Sequence, residues 1–177
     1  MTAPTVNTRT VVAAALATLL AGASACQRAE LTGPPELRLG RDQCIECGMI
    51  INEDRFSSAA LIDAGGGRGR EHYLFDDVGC MLDYQREHPD ITFIELFVHD
   101  AATRNWLTTQ QAIFLLTDSS AILTPMGSGI AAYSDSAAAE AARAAHGGQS
   151  HGYAELAAPR QAWVQARMGP QAPGSGR

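Results

Sequence analysis

The chain has 177 residues, with 19 acidic side chains against 13 basic ones, all of them arginine, for a formal charge of −6. That balance excludes the broad cationic footprint of a nucleic-acid binder, so no nucleic-acid partner is expected. Apolar residues at 46% and charged ones at 18% suffice for a packed core, in one domain or in two small halves that share it.

Residues 1–25 read as a secretory signal. Arg9 precedes the apolar run from Val11 to Ala21, which falls short of the roughly 18 residues that a membrane span needs. Small residues Gly22 to Ala25 then lead into Cys26. Ala23-Ser24-Ala25 suits ordinary signal peptidase, whereas small residues before a cysteine suit a bacterial lipobox, with Ala23 where leucine is usual. The lipobox is the expectation, with Cys26 as the lipidation site and Gln27 directing the protein to the outer membrane. The protein is thus expected to be exported and to sit in the periplasm on a lipid anchor. Residues 26–41, with Gly33-Pro34-Pro35, read as a tether.

The folded part is expected from Asp42. Phe56–Ala64 reads as a strand, Gly65-Gly66-Gly67 as a turn, and Glu71–Phe75 as a second strand. Asp76 or Asp77 can cap a helix over Val78–Glu87, whose Val78, Met81 and Leu82 share one face. Pro89 ends it, and Ile91–His99 reads as a third strand. The second half repeats the order, with strands at Ile113–Leu116 and Gly129–Tyr133 and a helix over Ala137–His146 capped by Asp135 or Ser136. An offset of 58 carries Phe56 to Phe114, Phe75 to Tyr133, Asp77 to Asp135 and His88 to His146. The fold class is therefore α+β, built from two related ββαβ units over residues 42–100 and 101–168. A last helix, Pro159–Met168, is expected to pack Trp163 on the core, and 169–177 reads as a solvated tail.

Chemistry concentrates in Cys44-Ile45-Glu46-Cys47-Gly48-Met49. Two thiols three positions apart can converge on one ion, and Gly48 permits a turn that brings the Met49 thioether with them. Thiolate and thioether together favour Cu(I) over Zn(II). Met126 lies in Leu123-Thr124-Pro125-Met126-Gly127-Ser128-Gly129, a loop rather than an apolar run, and offers another thioether. Cys80, near the start of a helix, reads equally as a stabilised thiolate and as a small buried hydrophobe. His72 is a possible further ligand, although its strand position suits solvent better. His88 and His146 fit helix ends, and the acidic pairs Asp76-Asp77 and Glu53-Asp54 read as caps or solvated faces. No catalytic constellation is visible, and the protein is not expected to be an enzyme.

Three motifs resemble the NosL family, periplasmic copper-binding lipoproteins that accompany nitrous oxide reductase: Cys44 to Ile50 with Asn52 to Phe56, Phe75 to Cys80, and Thr124 to Tyr133. The resemblance spans about residues 42 to 156. It implies paired ββαβ units like those of the metal-handling region of organomercurial lyase. It also implies Cu(I) delivery toward nitrous oxide reductase or another cuproenzyme through an ABC-type loading complex. On this chain the family's metal elements fall on Cys47, Met49 and Met126, with Cys44 as a fourth sulfur. Some members lack the first cysteine, so Cys44 is open to three roles: ligand, reserve ligand, or disulfide partner of Cys47 or Cys80. Two further readings stand beside the carrier: a thiol-disulfide oxidoreductase using Cys44 and Cys47, and a structural zinc site from Cys44, Cys47, Cys80 and His72.

Overall fold

The computed structural model describes residues 30–168; the signal segment, Cys26 and the C-terminal tail lie outside them. Strands β1 (Ser58–Asp63) and β2 (Arg70–Phe75) form a hairpin, followed by helix α1 (Val78–Glu87), β3 (Thr92–His99) and a short β4 (Trp106–Thr108). The second half runs β5 (Ile113–Leu116), β6 (Ile130–Tyr133), α2 (Ser136–His146) and β7 (Gln149–His151). A 3₁₀ turn over Tyr153–Leu156 then leads into α3 (Ala157–Met168). All strand pairs within the two sheets are antiparallel, with orders β2-β1-β3-β4 and β6-β5-β7. In each half the first strand lies between the second and the third, so the strand order repeats as the sequence offset requires.

The repeat is inexact where its turns differ. Ser58 pairs with Phe75, but Leu116, its counterpart 58 residues on, pairs with Ile130, three short of Tyr133. The first hairpin turns through the glycines of 64–69, whereas the second closes through the long 117–129 loop, so no tight turn enforces the same register. Strand β4 is too short, and β7 both too short and too polar, to carry a visible alternation. They are held by the ladders of their neighbours.

One apolar cluster serves both sheets. Phe75, Met81, Val98, Phe114, Ile130 and Leu156 are all buried in it. The halves also join through the main chain, where the Ala101 amide donates to the Ala132 carbonyl at 2.8 Å. Trp163 does not enter the core. It is half-buried between the guanidinium groups of Arg160 and Arg167, 4.3 and 4.4 Å from its ring centroid, while Val164 packs inward. Pro159 falls in the first turn of α3, where a missing amide proton costs no helical bond.

The expected tether is not free where it is described. The Gly33 carbonyl lies 2.7 Å from His72 Nε2, the Leu31 carbonyl accepts from Arg70, and Leu37 packs on the core. Pro34 and Pro35 exclude regular structure without preventing docking, because the carbonyls of an extended segment still find donors on β2.

Gly79, in the first turn of α1, has no room for a side chain: a Cβ there would lie 2.7 Å from Ser128 Cβ and 2.9 Å from Arg160 Cζ. Gly79→Ala should cost about 1–3 kcal/mol by overpacking, read as a lower urea midpoint. His99 is buried, stacks on Trp106 at 3.6 Å and pairs through Nδ1 with Ser57 Oγ at 2.8 Å. Burial holds its imidazole below the ordinary 6.5. Below that pH the unfolded chain binds the proton more readily than the folded one, so this contribution is intact above pH 6.5 and declines as pH falls through the folded-state value. Urea denaturation from pH 8 to 5 should show a decline that is shallower in His99→Asn.

Candidate metal centre

The Cys44–Met49 segment folds into a tight reversal. The Cys44 amide donates to the Met49 carbonyl at 2.9 Å and the Gly48 amide to the Cys44 carbonyl at 2.8 Å. Gly48 takes φ +74°, a value that an L side chain adopts only with strain, so glycine is what lets the turn close. Gln43 bridges to Ile50, and the Ile45 amide donates to the Leu74 carbonyl, which lays the reversal against β2. Cys44 is thereby driven into the core at 1% exposure, while Cys47 stays half-buried and Met49 is 42% exposed.

The second component comes from the end of β2 and the start of α1. Phe75 and Asp76 are both buried, Asp76 at 2% exposure, and Cys80, in the first turn of α1, is buried as well. The Sγ atoms of Cys44, Cys47 and Cys80 and a carboxylate oxygen of Asp76 lie within 4.8 Å of one another. Cys47 Sγ is 3.6 and 3.7 Å from the two Asp76 oxygens. A metal–sulfur bond of about 2.3 Å sets sulfurs at most roughly 4.6 Å apart around one ion, so small side-chain adjustments would let these four groups share a cation.

Their electrostatics point the same way. The Cys80 thiol hydrogen-bonds to Cys44 and holds it at about 7 in spite of burial. Burial pushes Cys47 up to about 12. Cys80 is raised strongly, first by its bond to Cys44 and then by burial. Burial and the neighbouring charges of Cys44 and Asp76 oppose a second anionic sulfur, and a bound cation would offset both and displace the remaining thiol protons.

All three described cysteines are free thiols, so no disulfide ties Cys44 to Cys47 or Cys80 in this state. Met126 is half-buried and packs, like Cys47, against the cluster that contains Cys44 and Cys80. Its backbone amide donates to Asp77 Oδ2 at 3.0 Å, which seats the 124–129 loop on the start of α1. His72 lies apart from the four clustered groups, its Nε2 engaged with Gly33. Asp76 is the residue that sequence reasoning passed over, because one acidic side chain of the pair does cap the helix and its neighbour looked redundant. The legible signal was its place directly after the apolar end of a strand and four residues before Cys80. Ile45, Met49 and Ile50, in the same segment as the half-buried Cys47, are exposed apolar side chains.

No curated protein matches the sequence. Among solved structures, the copper chaperone NosL from Shewanella denitrificans aligns with a TM-score of 0.55 at 20% identity, over 69% of this chain and 96% of that one. At that identity the likeness concerns the fold. The family model NosL, in turn, matches residues 38–160, a span that includes the cysteine reversal, the start of α1 and the Met126 loop. Because that match covers most of the described chain, the protein belongs to the NosL family.

Proposed function

We propose that this protein is a non-enzymatic Cu(I) carrier whose cargo is held by Cys47 and Met126, with Cys44 and Met49 as further sulfur ligands. The observation that carries the proposal is the convergence of three thiols at one largely buried point, in the fold shared with a copper chaperone. Sulfur donors select a soft monovalent ion. In this reading Met49, exposed at the surface, meets the ion first, and thioethers exchange one at a time, so copper passes inward to the thiols and out again without being released to water. In the reading we favour, the protein is exported to the periplasm, anchored through lipid on Cys26, and supplies nitrous oxide reductase or another cuproenzyme by way of an ABC-type loading complex.

Purified, reduced protein should bind one Cu(I), measured by competition with bicinchoninate. Met49→Ala and Met126→Ala should each weaken retention, and unchanged affinity in the double variant would overturn the proposed ligand set. Asp76 supports a second reading: three thiolates and a carboxylate also satisfy four-coordinate Zn(II). Unfolding on treatment with a zinc chelator, with no preference for Cu(I), would favour zinc.

A further inference from the structure

Asp77 makes more bonds than capping a helix requires. Its Oδ1 accepts from the Gly79 amide at 2.6 Å, the ordinary task of a residue at this position. Its Oδ2 reaches into the other half of the molecule and accepts from Thr124 Oγ1 at 2.6 Å and from the Met126 amide at 3.0 Å. Its own carbonyl accepts from the Cys80 amide at 3.0 Å. One residue, with no exposed surface, thus fixes the main chain at Cys80 and at Met126. The molecule contains its own control: Asp135, 58 residues on, caps α2 through Ala137, is exposed, and makes no such reach.

Thr124 extends the arrangement. Its hydroxyl donates to Asp77 and accepts from the Ser128 amide at 2.9 Å, so the loop curls around it and presents Met126 at the turn. A loop with this many glycines would otherwise sample many conformations.

We propose that Asp77 is a positioning residue for copper, a buried clasp that sets Met126 against the thiol cluster by holding the 124–129 loop on the start of α1. The proposal rests on the carrier reading and adds to it a residue that never touches the ion. It implies that loss of the clasp acts through Met126 alone and leaves the cysteine reversal intact.

The test uses Asp77→Asn, which keeps an oxygen for the helix amide but puts an NH₂ where Oδ2 accepted two bonds. Thr124→Val removes one of those donors, and Thr124→Ser should restore it. Bicinchoninate competition should show Cu(I) retention falling about 10- to 100-fold in Asp77→Asn. The same change made in a Met126→Ala background should have less than about a twofold effect. In metal-free protein, the ¹³C-methyl resonance of Met126 should move in Asp77→Asn and Thr124→Val and stay in place in Thr124→Ser and Asp135→Asn. Equal losses in both backgrounds, or an unmoved Met126 methyl, would overturn the clasp. If Asp77→Asn does not fold, Thr124→Val decides by the same two readings. If the unaltered protein holds no Cu(I), the carrier reading falls, and the clasp stands or falls on the methyl resonance.

Discussion

Cys47→Ser should abolish useful copper retention. The expected loss of Cu(I) affinity exceeds the roughly 10- to 100-fold typical of removing an outer partner of a metal site, because the variant removes a direct sulfur ligand. Among the described cysteines, Cys47 is the one with access to the surface, and its Sγ lies 3.6 Å from an Asp76 oxygen. Serine keeps the size and polarity of the side chain, so the turn made by Gly48 and Cys44 should survive. A melting temperature close to that of the parent protein, together with failure to compete with bicinchoninate, would separate loss of the ligand from loss of the fold. Cys80→Ser should behave differently. Cys80 is 2% exposed, and its thiol lowers the pKa of Cys44, so that variant should weaken binding and stability together. Near-parental retention in Cys47→Ser would remove this residue from the site and with it the proposed path of copper.

The largest stability effect is expected at Arg160→Met. Nε and Nη2 of Arg160 both donate to Asp83 Oδ2, at 3.1 and 2.6 Å, linking α3 to α1. The paired side chains are only 7% and 13% exposed. Removing the cation leaves a carboxylate in the interior with only Arg86, at 3.2 Å, to face it. Breaking a buried pair from one side typically costs about 3–5 kcal/mol, and Arg86 places this case near the lower figure. For a domain of this size that is a fall in melting temperature of roughly 10 °C. Adding Asp83→Leu should recover most of it, since two apolar groups desolvate without penalty. A single variant that melts like the parent protein would show that the pair is fully compensated by solvent.

The elements with strong local signals were legible in the chain. Helix α1 spans the residues its apolar spacing marked, Asp77 and Asp135 cap where a short acidic side chain should, and Gly147 ends α2 with φ +72°. The cysteine reversal was equally plain, because Gly48 is free to take the positive φ that closes a tight turn between the two thiols. Other features had no local signature. Strand β7, with its polar Gln149-Ser150-His151, exists because β5 offers it a ladder. Leu37 is drawn onto the core, and the Gly33 carbonyl onto His72, 39 residues away in sequence.

The same division runs through the metal centre. Sequence by itself determined the donor types, the two-unit order and the membership of Cys44, Cys47 and Met126 in motifs with metal-binding character, since these depend on residue identity and short spacing. Tertiary structure decided which donors meet. It took Asp76 out of the capping role and set it beside Cys47, brought Cys80 to Cys44, and joined the Met126 loop to α1 through Asp77. Those contacts depend on burying Phe75 and Phe114 in one core, and the free energy that assembles them belongs to the packed halves together rather than to any stretch of chain alone.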